Sequence, residues 1–469
     1  MKRCDTVMEN IITWFKYLYI FHIICAGNSL LFDTPLLKVT SVLVLILGVV
    51  AVFWRTLQIK KYIQYPFIKM YIIFLALFII TCIINFKYGV TNNMKIIIWM
   101  TFQFVLLYLF DLKRDKKFVT KEFRFVILEI LIITSIMNII GIGMLFANYG
   151  FNRIISESKT FIVGVAYWGR LYGIHTDPNY GAILTTIALI ISLYFFFSSQ
   201  KKCIKVSMVI SMLIQLMSIS FSASRTGMIC VIISMLLFFF LYTFNKRKKI
   251  MTAIVVAIIA VAVAMGAQQG IKAGYNGYVA AVESWNHAHG SDNDKEDNKN
   301  KIEIGRQEEL EGDVSNRRFD LWNNAFELFK TSPIFGISFG NNVTYAGEKL
   351  PNCYMLTNGF AVFDAFHNMF MDLLSSQGIV GTIMFLLIMI SSLIYILKNY
   401  KFIKDEDILK CIALFSGCIT IVASSMFVSE ILYVNNETTV VFWTLWGFLI
   451  YFIYKNKESG EVNGISEEN

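Results

Sequence analysis

An arginine stands inside SISFSASRTGM, residues 218–228, with apolar sequence at 203–217 before it and at 229–244 after it. A charge placed that deep in apolar sequence is expensive and marks a functional position. Arg225 has company elsewhere. Arg170, His175, Asp177 and Asn179 share GRLYGIHTDPNYGA, residues 169–182, and Arg153 precedes them. Arg306, Arg317 and Arg318 lie in or before RRFDLWNNAFELFK, and His367 with Asn368 stands in AFHNMF. The arginine fork takes phosphate or carboxylate oxygens two at a time and keeps its charge, so the set suits an anionic ligand. A neutral imidazole at His367 could accept a proton from a hydroxyl or orient it. Plainer roles stay open. The arginines could reach for lipid headgroups, Asp177 and Pro178 make a helix cap and first turn, and His367 could satisfy its own loop. His287 and His289 have no acidic ligand pattern nearby, and the eight cysteines show no CxxC spacing. Neither a metal, a disulfide framework nor any other cofactor is expected.

The elements that must position these groups are membrane helices. The chain has 469 residues, 56% hydrophobic and only 16% charged, where a soluble protein carries about a quarter charged. The apolar residues come in runs near the ~20 needed to cross roughly 30 Å of hydrocarbon. Twelve such segments are expected, near 11–30, 37–54, 67–86, 94–110, 124–147, 179–198, 204–221, 227–244, 250–267, 378–397, 409–427 and 437–454. The first follows MKR but lacks a good cleavage site, and reads as an uncleaved helix. Every even-numbered connection is rich in lysine or arginine, as are the flanks of the first and last segments. This alternation puts those loops, both termini and the tail 456–469 in the cytoplasm. The net charge of +9 is thereby spent on orientation, and no nucleic-acid partner is expected.

The expected organisation is an all-α polytopic membrane protein. Helices one to nine fill 1–267, a large outward loop covers 268–377, and helices ten to twelve fill 378–455. A second outward connection, 147–178, is also long. Within the large loop, 291–313 reads as a solvated mixed-charge stretch. Phe319, Trp322, Phe326 and Phe329 then recur at helical spacing, predicting an amphipathic helix over 316–330 at the outer membrane surface, with Ser315 placed to cap it. The cytoplasmic loops are short and hold no P-loop or GxGxxG fingerprint. Chemistry is therefore expected outside, where nucleotide sugars are absent.

Four stretches together resemble the O-antigen ligase and polymerase family. SASRTG is similar to its Ser-x-Ser-Arg segment, and GIHTDPNYGA to its Asp-Pro-Asn segment before a membrane helix. RRFDLWNNAFELFKTSPIFGISFG resembles its Arg-x-x-x-Trp helix and following glycine turn. HNMFMDLLSSQGIVG resembles its His-Asn-x-Phe segment. They occur in the family's order over 169–381; Ile337 and Ser338 stand where a further glycine is common. The resemblance implies a GT-C-like membrane glycosyltransferase working on glycans carried by undecaprenyl diphosphate, at the outer face of the bacterial cytoplasmic membrane. It implies His367, Arg225 and Arg318 as catalytic groups, with Arg170, Arg317, Asp177, Asn179 and Asn368 holding substrate. The implied partners are lipid-linked donor and acceptor glycans, the bilayer, and the flippase and chain-length regulator of the same pathway.

Among the activities left open, a repeat-unit polymerase for capsule or O-antigen is favoured. Its support is the aromatic stretch GYNGYVAAVESWNHAHG, read as a loop suited to stacking on sugars. A ligase passing finished glycan to another acceptor shares the same motifs. A lipid-linked oligosaccharide flippase or other transporter would suit twelve helices, but has no use for the large outer loop, and no repeat between the halves is visible.

Overall fold

The computed structural model describes residues 2–156, 159–289, 302–305, 317–359 and 362–467. Arg306, Ser315 and most of the mixed-charge stretch 291–313 lie outside the described residues, as do the side chains of His287 and His289. Helix accounts for 77% of the structure. In chain order the helices are α1 (Lys2–Ala26), α2 (Pro35–Leu57), α3 (Ile68–Ile84), α4 (Thr91–Phe102) and α5 (Lys116–Phe146). After a small sheet come α6 (Pro178–Ser198), α7 (Lys202–Ser222), α8 (Arg225–Arg247) and α9 (Ile250–His289). Then follow α10 (Arg318–Thr331), α11 (Asn342–Lys349), α12 (Met369–Asn399), α13 (Asp405–Ser424) and α14 (Glu437–Glu467).

Among the described residues, nine helices are long and apolar enough to cross a membrane: α2, α5 to α9 and α12 to α14. The other three expected segments also fall on helix, but differently. Segment 11–30 sits on α1, whose polar first turns dilute its hydropathy. Segment 67–86 sits on α3, of 17 residues. Segment 94–110 sits on α4 and the π-helical stretch Gln103–Tyr108 that ends it. The expected start of the tenth segment, at 378, is a kink within α12, where Gly378 leaves helical geometry with φ 59°.

The mostly helical chain with its nine candidate spans is consistent with the expected all-α polytopic architecture, to which two details are added. The connection 147–178 holds three short antiparallel strands, β1 (Gly150–Ser156), β2 (Lys159–Ala166) and β3 (Arg170–Gly173), in that order. And α9 does not stop at 267; it continues for another 22 residues to His289, so the aromatic stretch read as a loop is helical. Hydropathy reports contact with lipid, whereas helix needs only suitable residues and a packed face. Here Tyr275 and Val279, four residues apart, are buried with Leu145, Phe221 and Ile304.

The contacts divide the chain into two compact units. One comprises 1–20, 40–126 and 314–469. Its core is built on α14, of which 94% of the apolar span is buried. Trp443 there meets Phe104 and Tyr71 with ring centroids 4.8 and 5.2 Å apart. The other comprises 21–39 and 127–313 and centres on α6, 78% buried over its span. A polar knot fastens its helices. Asn138 of α5 donates to Thr185 of α6 and to Gln215 of α7, and accepts from Ser218 of α7 at 2.9 Å. In an apolar interior such groups must find one another, because nothing else satisfies them.

Candidate functional site

Four helix starts carry predicted residues, and three of them, all but the start of α10 at Arg317 and Arg318, are capped by a side chain. Asp177 accepts from the backbone N–H groups of Asn179 and Tyr180 at 2.7 and 3.2 Å, with Pro178 in the first turn of α6. Ser224 accepts from the N–H of Gly227 at 3.1 Å and so opens α8 at Arg225. Asn368 accepts from Phe370 and Met371 at 2.9 and 3.3 Å and opens α12 beside His367. Caps of this kind fix where the chain turns into helix, and therefore where the flanking functional side chains begin.

In the unit holding 127–313, the predicted residues come together. Arg170 is 7% exposed. Its Nε donates to the carbonyl of Ser222 and its Nη2 to Oδ1 of Asn179, both at 2.9 Å. The hydroxyl of Ser224 donates to the same Asn179 oxygen at 2.9 Å. Asn179 thus ties the arginine of β3 to the turn between α7 and α8, where Ala223 takes a left-handed φ of 48°. Arg225, half-buried, follows directly at the N-terminal end of α8, where the helix dipole favours an anion. Ser222 and Ser224 were not singled out in the sequence beyond their place in SASRTG, though they are the partners that build the cluster. His175 lies near the Asn138 knot, with Nε2 3.1 Å from Asn138 Oδ1. Burial pushes its imidazole down to about 4, so it is neutral at physiological pH. Asp177 spends its carboxylate on the cap. Arg153 turns to carbonyls of the 29–32 segment rather than to these side chains.

In the unit holding 314–469, Arg318 and Asn368 reach a connection that sequence reading missed, 425–436 between α13 and α14, whereas the contacts of Arg317 and His367 described below lie outside it. The Arg318 guanidinium sits 6.0 Å from the ring centre of Phe427. Asn368 Nδ2 donates to the Met426 carbonyl at 3.1 Å, and the Met369 N–H to Ser425 at 2.8 Å. Arg317 is paired with Asp320 and lies 4.6 Å from the Tyr354 ring centre. His367 has a left-handed φ of 50° and its ring meets Phe363 edge-on. Behind it, the Phe366 N–H donates to the buried Asp372 carboxylate at 2.9 Å. A strained backbone held by its neighbours is a frequent companion of function. Ile431 and Tyr433, in the same connection, are also left-handed at 74° and 63°. The connection carries no basic residue and no motif, which is why it was not legible.

The glycine turn after α10 is also seen here. At Gly336 (φ 71°) a Cβ would lie 2.4 Å from the Ser376 backbone, so only glycine fits. Ser338, where a further glycine was expected, nonetheless adopts φ 67°. Its hydroxyl donates to Asn93 at 2.6 Å and its N–H to Ser376 at 3.0 Å, which offsets the strain. The amphipathic helix α10 buries Leu321, Ala325 and Leu328, leaving Phe319 and Phe326 on its exposed face.

Comparison with known proteins bears on this arrangement. Residues 210–386 match a family described as O-antigen ligase. The match runs from α7 through the first half of α12, and so takes in Arg225, Arg317, Arg318, His367 and Asn368. An uncharacterized protein of Haemophilus influenzae is 24% identical over 262 residues, 55% of this chain. The chain spans 58% of that relative's length.

Proposed function

The match over residues 210–386 supports a place for the chain in the O-antigen ligase and polymerase family, and from that premise we propose that it is a membrane glycosyltransferase acting on glycans carried by a polyprenyl diphosphate. In this reading it joins repeat units, moving the growing chain from its carrier onto the next lipid-linked unit at the outer face of the cytoplasmic membrane. The observation that carries it is the cluster in which Asn179 ties buried Arg170 to the turn that presents Arg225.

The reaction needs little more than charge neutralisation and a proton acceptor. The acceptor hydroxyl oxygen attacks the anomeric carbon. The bond from that carbon to the diphosphate oxygen breaks with its electron pair, and the hydroxyl proton passes to His367. A single displacement of this kind inverts the anomeric centre. The leaving diphosphate is a stabilised anion, so arginine side chains can supply the neutralisation without a metal or nucleotide. In the unit holding 127–313 the candidates are Arg225 with Arg170 assisting, and in the unit holding 314–469 they are Arg318 or Arg317. Asn179 and Asp177 act by holding backbone and arginines in place, and Asn368 by fixing the turn at His367.

A second reading, transfer of finished glycan to a different acceptor, is favoured by the description of the matched family as ligase. Glycan length profiles of a strain lacking the gene separate the readings. Repeat units that stay single are expected if it polymerises. Long chains stranded on the carrier would mean ligation, and unflipped units accumulating inside would replace both readings with transport.

A further inference from the structure

The small sheet has one packed face and one open face. Strand alternation puts Phe161 and Val163 on the packed side. Both are buried, and Phe161 meets Phe32 edge-on at 5.1 Å. On the opposite side the paired positions are Gly150 with Gly164, Asn152 with Ile162, and Ile154 with Thr160. The glycine pair is obligatory: a Cβ at Gly164 (φ 82°) would lie 2.1 Å from the Tyr149 carbonyl, and one at Gly150 2.2 Å from that of Val165. It also leaves that end of the open face without side chains.

Over this face lies a cavity of about 760 Å³, walled by Asn148, Asn152, Thr160, Ile162, Tyr167 and Trp168. Its far wall includes Ile302, in a segment fastened by a hydrogen bond from Gly305 to Gly169 at 3.1 Å and by Asn276 to Ile304. The volume is within the range of small-ligand sites, about 300–1,000 Å³. Tyr167 is 84% and Trp168 36% exposed, with ring centres 4.6 Å apart and nearly perpendicular. Among the described residues lining the cavity none is charged.

We propose that this groove binds a neutral saccharide portion of the lipid-linked substrate. The assignment rests on the glycosyltransferase reading above and adds a subsite to it. A sugar ring has an apolar face and a polar edge. Exposed tyrosine and tryptophan rings match the face, and two asparagine amides with a threonine hydroxyl match the edge. A diphosphate would find no countercharge in the groove, and an acyl or prenyl chain would leave the amides unsatisfied. The groove is also joined to the arginine cluster by the chain: Trp168 and Arg170 are two residues apart, across the turn that joins β2 to β3. Apart from Ile302, its lining lies outside 210–386, the stretch shared with the family model, which suits a feature that selects this chain's own glycan.

The test uses the full-length protein in lipid nanodiscs and two probes. One is the water-soluble glycan released by mild acid from the lipid-linked repeat of the bacterium carrying the gene; the other is undecaprenyl diphosphate. Calorimetry should show the glycan binding, with Kd rising about tenfold in both Tyr167→Ala and Trp168→Ala, and undecaprenyl diphosphate binding unchanged in both. Tyr167 is exposed enough that its removal leaves the fold intact. No glycan binding, or binding indifferent to both substitutions, overturns the proposal. So does loss of undecaprenyl diphosphate binding alone, which would make the groove a lipid site. Failure of the parent reading looks different: undecaprenyl diphosphate would then bind Arg225→Ala as well as it binds the wild type.

Discussion

Asn179 is the residue on which the arginine cluster turns, because one side-chain oxygen receives both the Arg170 guanidinium and the Ser224 hydroxyl. Asn179→Ala removes that acceptor and should lower transfer about tenfold, the cost of one misplaced charged group. Asn179→Asp keeps the oxygen and adds a negative charge beside the arginines. Its carboxylate would hold Arg170 more firmly and repel the substrate diphosphate, so it is expected to be worse than alanine, with membrane insertion unaffected. Initial transfer rates of the two variants check the order. At this scale the sequence was most informative about charge. Arg225, Arg170 and His367 stood out because such residues are costly where they are. The neutral partners did not, since Ser222, Ser224 and Asn93 look like any polar residue near a helix end and gain meaning only from what they touch.

At the scale of elements, helix starts and the connection 425–436 set the geometry. Glu430 in that connection is fully buried, and its Oε2 has no hydrogen-bond partner among the described residues. Burial raises its carboxyl to about 8. The native state therefore holds this proton in a range where the unfolded chain, near 4.5, has lost it. The contribution to stability is complete below about 4.5 and is lost as pH rises through about 8. Glu430→Gln should remove that loss. Thermal unfolding of the purified protein between pH 5 and 9 is expected to show a Tm that falls with pH in the wild type and falls less in the variant; parallel curves would refute the assignment. Helix positions were largely legible, because lipid-facing runs of about 20 apolar residues announce themselves. The far half of α9 and the three strands were not. Both depend on packing against other parts of the chain, Tyr275 and Val279 on Phe221 and Leu145, and Phe161 on Phe32. A local pattern does not encode such partners.

For the molecule as a whole, the proposed function requires that the arginines of a membrane protein replace the metal or nucleotide that other glycosyl transfers require. The orientation rule and the resemblance pointed there from sequence, and the match over 210–386 supports the family. The helices, caps and left-handed turns explain how a chain so rich in apolar residues can hold a few charged groups in fixed places. The direct measurement is reconstitution of the purified protein in liposomes with lipid-linked repeat units, without nucleotide and with a chelator present, following the chain length of the product. Wild-type protein is predicted to elongate the glycan. Arg225→Ala, inserted to the same level, is predicted to lose about 10²–10³-fold in rate, as expected when a group that stabilises developing charge is removed. Elongation by Arg225→Ala at the wild-type rate would contradict the account.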